Sequence, residues 1–366
     1  MKRSFDRRLI AGMLIVVFMV LLTACGGSAS PKIDGPSKIV TDTDEREVEI
    51  PQDPKRVVCM YASTAHIMAM LGVADRIVGC SEGVRRDQMM LTMYPEIADT
   101  SAPYHDGTIN IEELLSLKPD LIIVKMDTYV NDGTREQLNK SGVPYIVTDY
   151  TSVNEVGSAV SVLGEVFGKQ KEAKSYIDYM YKTINMVTDR LEDVPEEDRP
   201  TVYHAVTEAT KTDIIDNMPA EVMGDAGLRN ISSEAGTISA GKSASVTLEQ
   251  IYSWNPDAII CNEWKVADYI RSQSKWSGLK AVENGRVYTM PIGATRWCHP
   301  GSMEPQMGAL YLAKLFYSDR FEDVDMTQTI KDYYKKYFRM TIDDELAEKI
   351  LSGKGMRESS PELVME

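Results

Sequence analysis

Short runs of β-branched and aliphatic residues alternate with helix-period segments along most of this chain. Arg56-Val57-Val58-Cys59-Met60 reads as an interior strand, Ser63 opens an apolar helix that runs through Leu71, and a second strand covers Arg76 to Cys80. Asn110 to Lys118 has a helical period that Pro119-Asp120 stops, and the strand Leu121-Ile122-Ile123-Val124 follows at once. After the turn Gly142-Val143-Pro144, a further strand covers Tyr145 to Thr148. Strands this uniformly apolar have no solvent face. The pattern therefore predicts an α/β fold whose parallel sheet is covered by helices on both sides.

The same phrase recurs later. Val246 to Ser253 reads as a helix, Asn255-Pro256-Asp257 ends it, and Ala258-Ile259-Ile260-Cys261 is the strand, matching the segment around Glu112 type by type. A repeat at that separation predicts two lobes of related architecture. Between the repeats, Lys171 to Leu191 lacks glycine and proline, and Ala173, Ile177, Met180, Ile184, Val187 and Leu191 form one helical stripe. Some 20 residues at ~1.5 Å each reach about 30 Å, the width of a small domain. This segment reads as a connector, with an ordinary amphipathic helix inside one lobe as the alternative. Pro195 and Pro200 close it.

The first residues carry a different signal. Lys2, Arg3, Arg7 and Arg8 precede an apolar run from Leu9 to Leu22, and Leu22-Thr23-Ala24-Cys25 follows. Charge, length and small-residue exit mark a signal peptide. The run of about 14 residues falls short of the ~20 that a permanent spanning helix needs. Its ending resembles a bacterial lipobox, which implies that Cys25 is diacylated and becomes the new N-terminus; a cleaved secretion signal with a chance cysteine is the alternative. Gly26-Gly27-Ser28-Ala29-Ser30 then reads as a flexible tether. The expected organisation is a signal peptide (1–24), a lipidated tether (25–37), a first lobe (38–168), a connecting helix (169–195), a second lobe (196–340) and an acidic C-terminal tail (341–366) with a loose end. The expected location is the cell membrane, lipid-anchored and facing outside the cytoplasm.

Charge and cysteine usage remove several function classes. There are 40 basic and 55 acidic residues, a net charge of −15, and loss of the basic leader makes the body more acidic still. That argues against nucleic acid and against broad adhesion to anionic lipid. Cys59, Cys80, Cys261 and Cys298 have no CxxC spacing. Cys59 and Cys80 each close a predicted strand, so a disulfide between strand ends and a pair of buried thiols both fit. Gly236 to Ser243 matches G-x-x-x-x-G-K-S, but a phosphate loop needs an apolar strand feeding in and a helix starting at Lys-Ser. Here a polar stretch precedes it and the next helix starts near Thr247, so it reads as a Gly/Ser loop. His66, His105, His204 and His299 form no HxH or HExxH pair, and no resident metal or other cofactor is expected. No G-x-S-x-G elbow follows any strand, which argues against a hydrolase.

Open parallel sheets bind ligands outside the carboxyl ends of their strands. Tyr61 and Ser63 follow the first strand, Lys125 follows Val124, Trp264 follows Cys261 by three, and Arg296 and Trp297 follow the strand Arg286 to Pro291. Together they are the candidate ligand-binding residues, with tryptophan supplying large contact area. The phrases "NIEELLSLKPDLIIV" and "VTLEQIYSWNPDAIIC", the opening "PKRVVCMYASTAHIMAMLG", the closing "LKAVENGRVYTMP" and the lipobox resemble one family: the substrate-binding lipoproteins of ABC importers for iron–siderophore, haem and cobalamin. The resemblance covers about residues 38–320. It implies two Rossmann-like lobes with mainly parallel sheets, joined by one long helix, with the ligand in the cleft between them. It also implies that Glu112 and Glu249 dock onto arginines of the permease, and that Trp297 is a cleft tryptophan. Lys125 stands where cobalamin binders can carry an aromatic, which favours a ligand with anionic groups. The expectation is a non-enzymatic, monomeric binding protein that delivers a ferric siderophore or haem to an ABC importer permease. A corrinoid or bare transition-metal-ion binder is the alternative within the class, and a cell-surface enzyme the alternative outside it.

Overall fold

In the computed structural model, residues 33–105, 107–214, 217–236 and 244–356 are described; Cys25 and residues 237–243 of the G-x-x-x-x-G-K-S stretch lie outside them. An antiparallel hairpin of β1 (Ser37–Thr41) and β2 (Glu47–Pro51) comes first. A parallel sheet follows, made of β3 (Val57–Cys59), β4 (Ile77–Cys80), β5 (Leu121–Val124) and β6 (Tyr145–Val147) in the order β4-β3-β5-β6. The second parallel sheet contains β7 (Thr201–Ala205), β8 (Arg229–Asn230), β9 (Ala258–Cys261) and β10 (Val287–Thr289) in the order β8-β7-β9-β10. Every residue of β3, β5 and β9 is buried, as strands covered on both faces require.

Side-chain alternation assigns each sheet one inner and one outer face. Val57, Cys59, Leu121 and Ile123 of the first sheet and Val202, Ala258 and Ile260 of the second belong to one continuous buried cluster. Val58, Ile122 and Val124 point the other way into a smaller cluster, and Tyr203, Ile259 and Cys261 do the same in the second half. Three of the helices that fill the shared core pack directly on one another. The first is α3 (Val153–Val166), which starts with a capping box of Ser152 and Glu155. The 21-residue α4 (Gln170–Arg190) buries Ala173, Tyr176, Met180, Ile184 and Val187. It packs against both α3 and α7 (Pro305–Phe316). The predicted stripe is therefore present, with Tyr176 fully buried in place of the half-buried Ile177. The lobes are not held by α4 alone, because their inner faces share this core.

The repeated phrases fold alike. Helices α2 (Ile111–Ser116) and α5 (Leu248–Trp254) are each capped by a side chain, Asn110 on the Glu113 amide and Thr247 on the Gln250 amide. Each exit passes through a left-handed residue, Lys118 at φ 47° and Asn255 at φ 43°, before Pro-Asp. The aspartate then anchors the first strand of its own sheet. Asp120 accepts from the amides of Lys55 at 2.8 Å and Arg56 at 3.0 Å, and Asp257 from the amide and hydroxyl of Thr201, both at 2.9 Å.

Two points that the sequence leaves open, the packing of the tail and the state of the cysteines, are visible in the fold. The tail from 341 is not loose as far as Met356, which is itself buried. Within it, α8 (Asp344–Ser352) buries Ala347 and Ile350, and the Ile350 carbonyl accepts the Ile292 amide at 3.0 Å. Here the acidic residues make the solvent face of an amphipathic helix, and the apolar ones dock it. Among the described residues, Cys59, Cys80, Cys261 and Cys298 are buried free thiols, Cys59 against the Met68 sulfur at 3.2 Å and Cys80 beside the Thr100 hydroxyl at 3.3 Å, although Cys59 and Cys80 pair in register.

The Asp257 anchor carries a stability prediction. Burial opposes its ionisation, but Lys280 and the Thr201 amide and hydroxyl outweigh this and hold its pKa below the ordinary 3.8. Its stabilisation is thus present above about pH 4 and lost as pH falls through the lowered value. Asp257→Asn is expected to lower urea-unfolding stability by about 1–2 kcal/mol at neutral pH, with the gap from wild type closing in acid.

Candidate ligand-binding site

The carboxyl ends of β3, β5 and β6 bring four polar side chains of the first lobe together. Tyr61 sits at the N-terminus of α1 (Ala62–Leu71) in extended conformation, and its side chain does not cap the helix. Ser63 lies in the first turn. Tyr150, beyond β6, places its ring 6.4 Å from that of Tyr61. Lys125 holds Asp127 at 2.6 Å and stands 5.9 Å from the centre of the Tyr61 ring. Thus Tyr61, Ser63 and Lys125 do come together, and Tyr150 joins them.

This group meets the second lobe directly. The Ser63 hydroxyl donates to the Gly301 carbonyl at 2.7 Å, and the Tyr150 hydroxyl donates to the same oxygen at 3.2 Å. His299 accepts the Gly301 amide on Nδ1 at 3.1 Å and so shapes the turn. Glycine at 301 gives the two hydroxyls room, since a Cβ there would lie 2.8 Å from the Tyr61 hydroxyl and 3.2 Å from the Ser63 hydroxyl and would push those side chains aside. Burial pushes the Tyr61 hydroxyl up to about 12 and the Tyr150 hydroxyl well above its ordinary value. Both therefore remain neutral donors at physiological pH.

The second-lobe residues take separate places. Arg296 pairs with Glu263 at 3.1 Å, both largely buried, at the start of α6 (Trp264–Ser272). Trp264 has the Lys265 and Lys354 amines over its ring at 5.6 and 5.5 Å. Trp297 contradicts the expectation of a cleft tryptophan. It is 0 % exposed and packs edge-on against Tyr311, with ring centres 6.2 Å apart. The reason lies in α7, where Gly308 approaches so closely that a Cβ would be 2.7 Å from the Trp297 carbonyl oxygen. Arg296 and Trp297 are adjacent in sequence, and the chain turns the first to Glu263 and the second into the core.

Behind the second sheet's carboxyl edge lies a buried polar set. His204 on β7 contacts Asp213 through Nδ1 at 2.6 Å, and Asp213 also accepts from Asn230 at 2.9 Å and Asn217 at 3.2 Å. Burial works against a charge on His204, but Asp213 outweighs it by charge and hydrogen bond, with Asn262 adding, and the net shift is upward from 6.5. His204 Nε2 and the Asn262 amide are buried without a hydrogen-bond partner of good geometry.

Sequence reasoning missed Tyr150, His299 and Gly301 as members of the junction. Tyr150 follows a strand end like the others and was open to the same rule. The Gly301 contact depends on how the lobes meet, which no local pattern encodes.

Residues 57–292 match the family model described as periplasmic binding protein. The chain belongs to that family. A molybdate-binding protein, MolA of Haemophilus influenzae, is 27% identical over 87% of this chain and 96% of its own length. Its structure bound to molybdate superposes with a TM-score of 0.74 at 25% identity, over 84% of this chain and 99% of that one. The Bacillus subtilis ABC transporter substrate-binding lipoprotein YvrC, uncharacterised, is 24% identical over 84% of this chain and 97% of its own. The iron(3+)-hydroxamate-binding protein YxeB of the same bacterium is 24% identical over 76% and 88%. This periplasmic binding protein is a non-enzymatic solute carrier of an ABC importer, working with a permease outside the cytoplasm, and its two-lobe α/β fold is that of its relatives.

The His204 set yields a pH prediction. Its raised pKa means that protonation stabilises the fold fully below about pH 6.5, and that this contribution is lost as pH rises through the folded-state value. Asp213→Asn should cost roughly 1–3 kcal/mol below pH 6.5 and flatten the decline in melting temperature expected of wild type at higher pH.

Proposed function

We propose that this protein captures a compact metal oxyanion of the molybdate class at the lobe junction and carries it to the permease of its importer. The observation that carries this reading is the closeness of the junction, where Ser63 and Tyr150 reach the Gly301 carbonyl directly. Such a site suits a small solute better than a broad macrocycle, and the tryptophan that would have stacked on a macrocycle is enclosed in the core. Around it stand two neutral tyrosine hydroxyls, a serine hydroxyl and the first-turn amides of α1, which have neither a side-chain cap nor a carboxylate nearby in the turn. Helix N-termini of this kind favour anions. The relative named for molybdate supports the same class.

A ferric chelate is the second reading, favoured by the Lys125 and Arg296 cations and by the relative named for iron(3+)-hydroxamate. We also propose that Cys25 is lipidated, on its Leu-Thr-Ala-Cys context and the relative named as a lipoprotein. Glu112 and Glu249, exposed at the second position of α2 and α5, are the proposed permease contacts.

Titration calorimetry with molybdate, tungstate, sulfate and a ferric hydroxamate decides between the two solutes. Molybdate and tungstate should bind, and Tyr61→Phe should weaken them about tenfold, or roughly 1.4 kcal/mol. Heat from the ferric hydroxamate alone would overturn the oxyanion reading in favour of the second. For the anchor, Cys25→Ser should move the protein from the membrane fraction to the soluble fraction or leave an uncleaved precursor; normal processing and retention would refute it.

A further inference from the structure

Among the described residues, four large hydrophobic side chains are exposed: Ile39 at 63 %, Leu115 at 43 %, Val130 at 59 % and Tyr252 at 37 %. Two of them fall at the same place in the internal repeat. Counting from the caps Asn110 and Thr247, Glu112 and Glu249 are both the second residue of their helices, and Leu115 and Tyr252 are both the fifth. A separation of three puts each pair on one face of its helix, a turn apart. The next residue is serine in both, Ser116 and Ser253, and both are exposed. Leu114 and Ile251, one position earlier, are fully buried and fix the opposite face in its core. The repeat thus preserves an exposed carboxylate, an exposed apolar side chain and a small neighbour, twice over.

Neither apolar residue is exposed through looseness. The Tyr252 hydroxyl donates to the Lys275 carbonyl at 2.9 Å and accepts the Gly278 amide at 3.2 Å, so its half-exposed ring is held in place. The helix bearing Leu115 is pinned at its start by Asn110 and beyond its end by Asp120. One exposed apolar side chain is ordinary on a protein surface; what distinguishes these two is that the internal repeat holds each of them one turn from an exposed carboxylate.

We propose that each lobe docks on the permease through a paired patch, Glu112 with Leu115 on the first and Glu249 with Tyr252 on the second. The matching partner surface presents a cationic side chain beside an apolar hollow, and does so at two equivalent places. A membrane component with two like halves satisfies this. The carboxylate confers steering and register, and the apolar side chain supplies contact area that salt does not screen. This inference rests on the reading of Glu112 and Glu249 as permease contacts, and it adds the residues that hold the complex together at high ionic strength.

The test uses the full chain in its producing cells, with photoreactive benzoylphenylalanine replacing Leu115, Tyr252, Ile39 or Val130 one at a time. Positions 115 and 252 should each give an adduct with the same type of polytopic membrane polypeptide, and positions 39 and 130 should not. Leu115→Ser should lower solute uptake at least fivefold while the calorimetric affinity for molybdate stays unchanged. Adducts absent at 115 and 252, adducts to unrelated partners, or equal adducts at all four positions would overturn the proposal. In the double variant Glu112→Gln, Glu249→Gln, adducts that persist at 115 and 252 uphold the apolar contacts and refute the glutamates. Loss of uptake in that double variant alone, with no adduct at 115 or 252 and with Leu115→Ser and Tyr252→Ser both fully active, upholds the glutamates and refutes the apolar contacts.

Discussion

Burial of one stripe of α4 between α3 and α7 sets the distance between the two sheets. Tyr176, Met180 and Val187 leave solvent completely, and the inner faces of both sheets close on the same cluster. At roughly 25 cal/mol per Å² of apolar surface, separating two faces that share such a core is far more costly than bending a linker. A hinge opening of the lobes would expose part of this shared core, which its packing opposes. A second tie lies at the far end of α1, where Arg339, itself in left-handed conformation at φ 59°, donates to the Met70 carbonyl at 3.1 Å. Helix α1 is thus held to the second half of the chain at both ends, by Ser63 at one and by Arg339 at the other.

A polar thread runs through this apolar mass. Glu304 is fully buried and accepts from the Thr295 amide at 2.6 Å, the Thr295 hydroxyl at 2.9 Å and the Tyr334 hydroxyl at 2.5 Å. Burial raises its pKa, and those donors work against the rise. Tyr334 opens a π-helical turn, Tyr334–Phe338, in which the extra residue brings Tyr337 and Phe338 inward while aiming Arg339 at α1. Buried polar groups add little net stability when satisfied and are costly when unpaired, so the thread selects one alignment of the loop 291–304 over its neighbours. That loop carries His299 and Gly301 to the junction.

How much of this was legible in the chain follows from the range of each interaction. The strands, the helix stripe of α4 and the paired phrases depend on neighbours within one turn or one strand, and the periodicity announced them. The Pro-Asp ends of those phrases could be read as helix stops, but not as anchors for β3 and β7, because Asp120 and Asp257 act on residues more than 50 positions away. Tyr61, Ser63 and Lys125 were accessible because the strand-end rule is local. Trp297 failed for the opposite reason: its side follows from the close approach of Gly308 in a helix that begins eight residues later. Composition favoured a large aromatic at the ligand, and packing claimed it for the core.

The Gly301 carbonyl has a consequence for release. Any solute that enters where Ser63 and Tyr150 now meet it must first break both of their hydrogen bonds, each worth about 0.5–1.5 kcal/mol net. The apparent affinity is then lower than the contacts with the solute alone would give, by a factor of roughly 5 to 150. The same bonds re-form once the site empties. For a solute seated there, the two hydroxyl-to-carbonyl bonds would oppose occupancy, and their strength would set how readily it is given up.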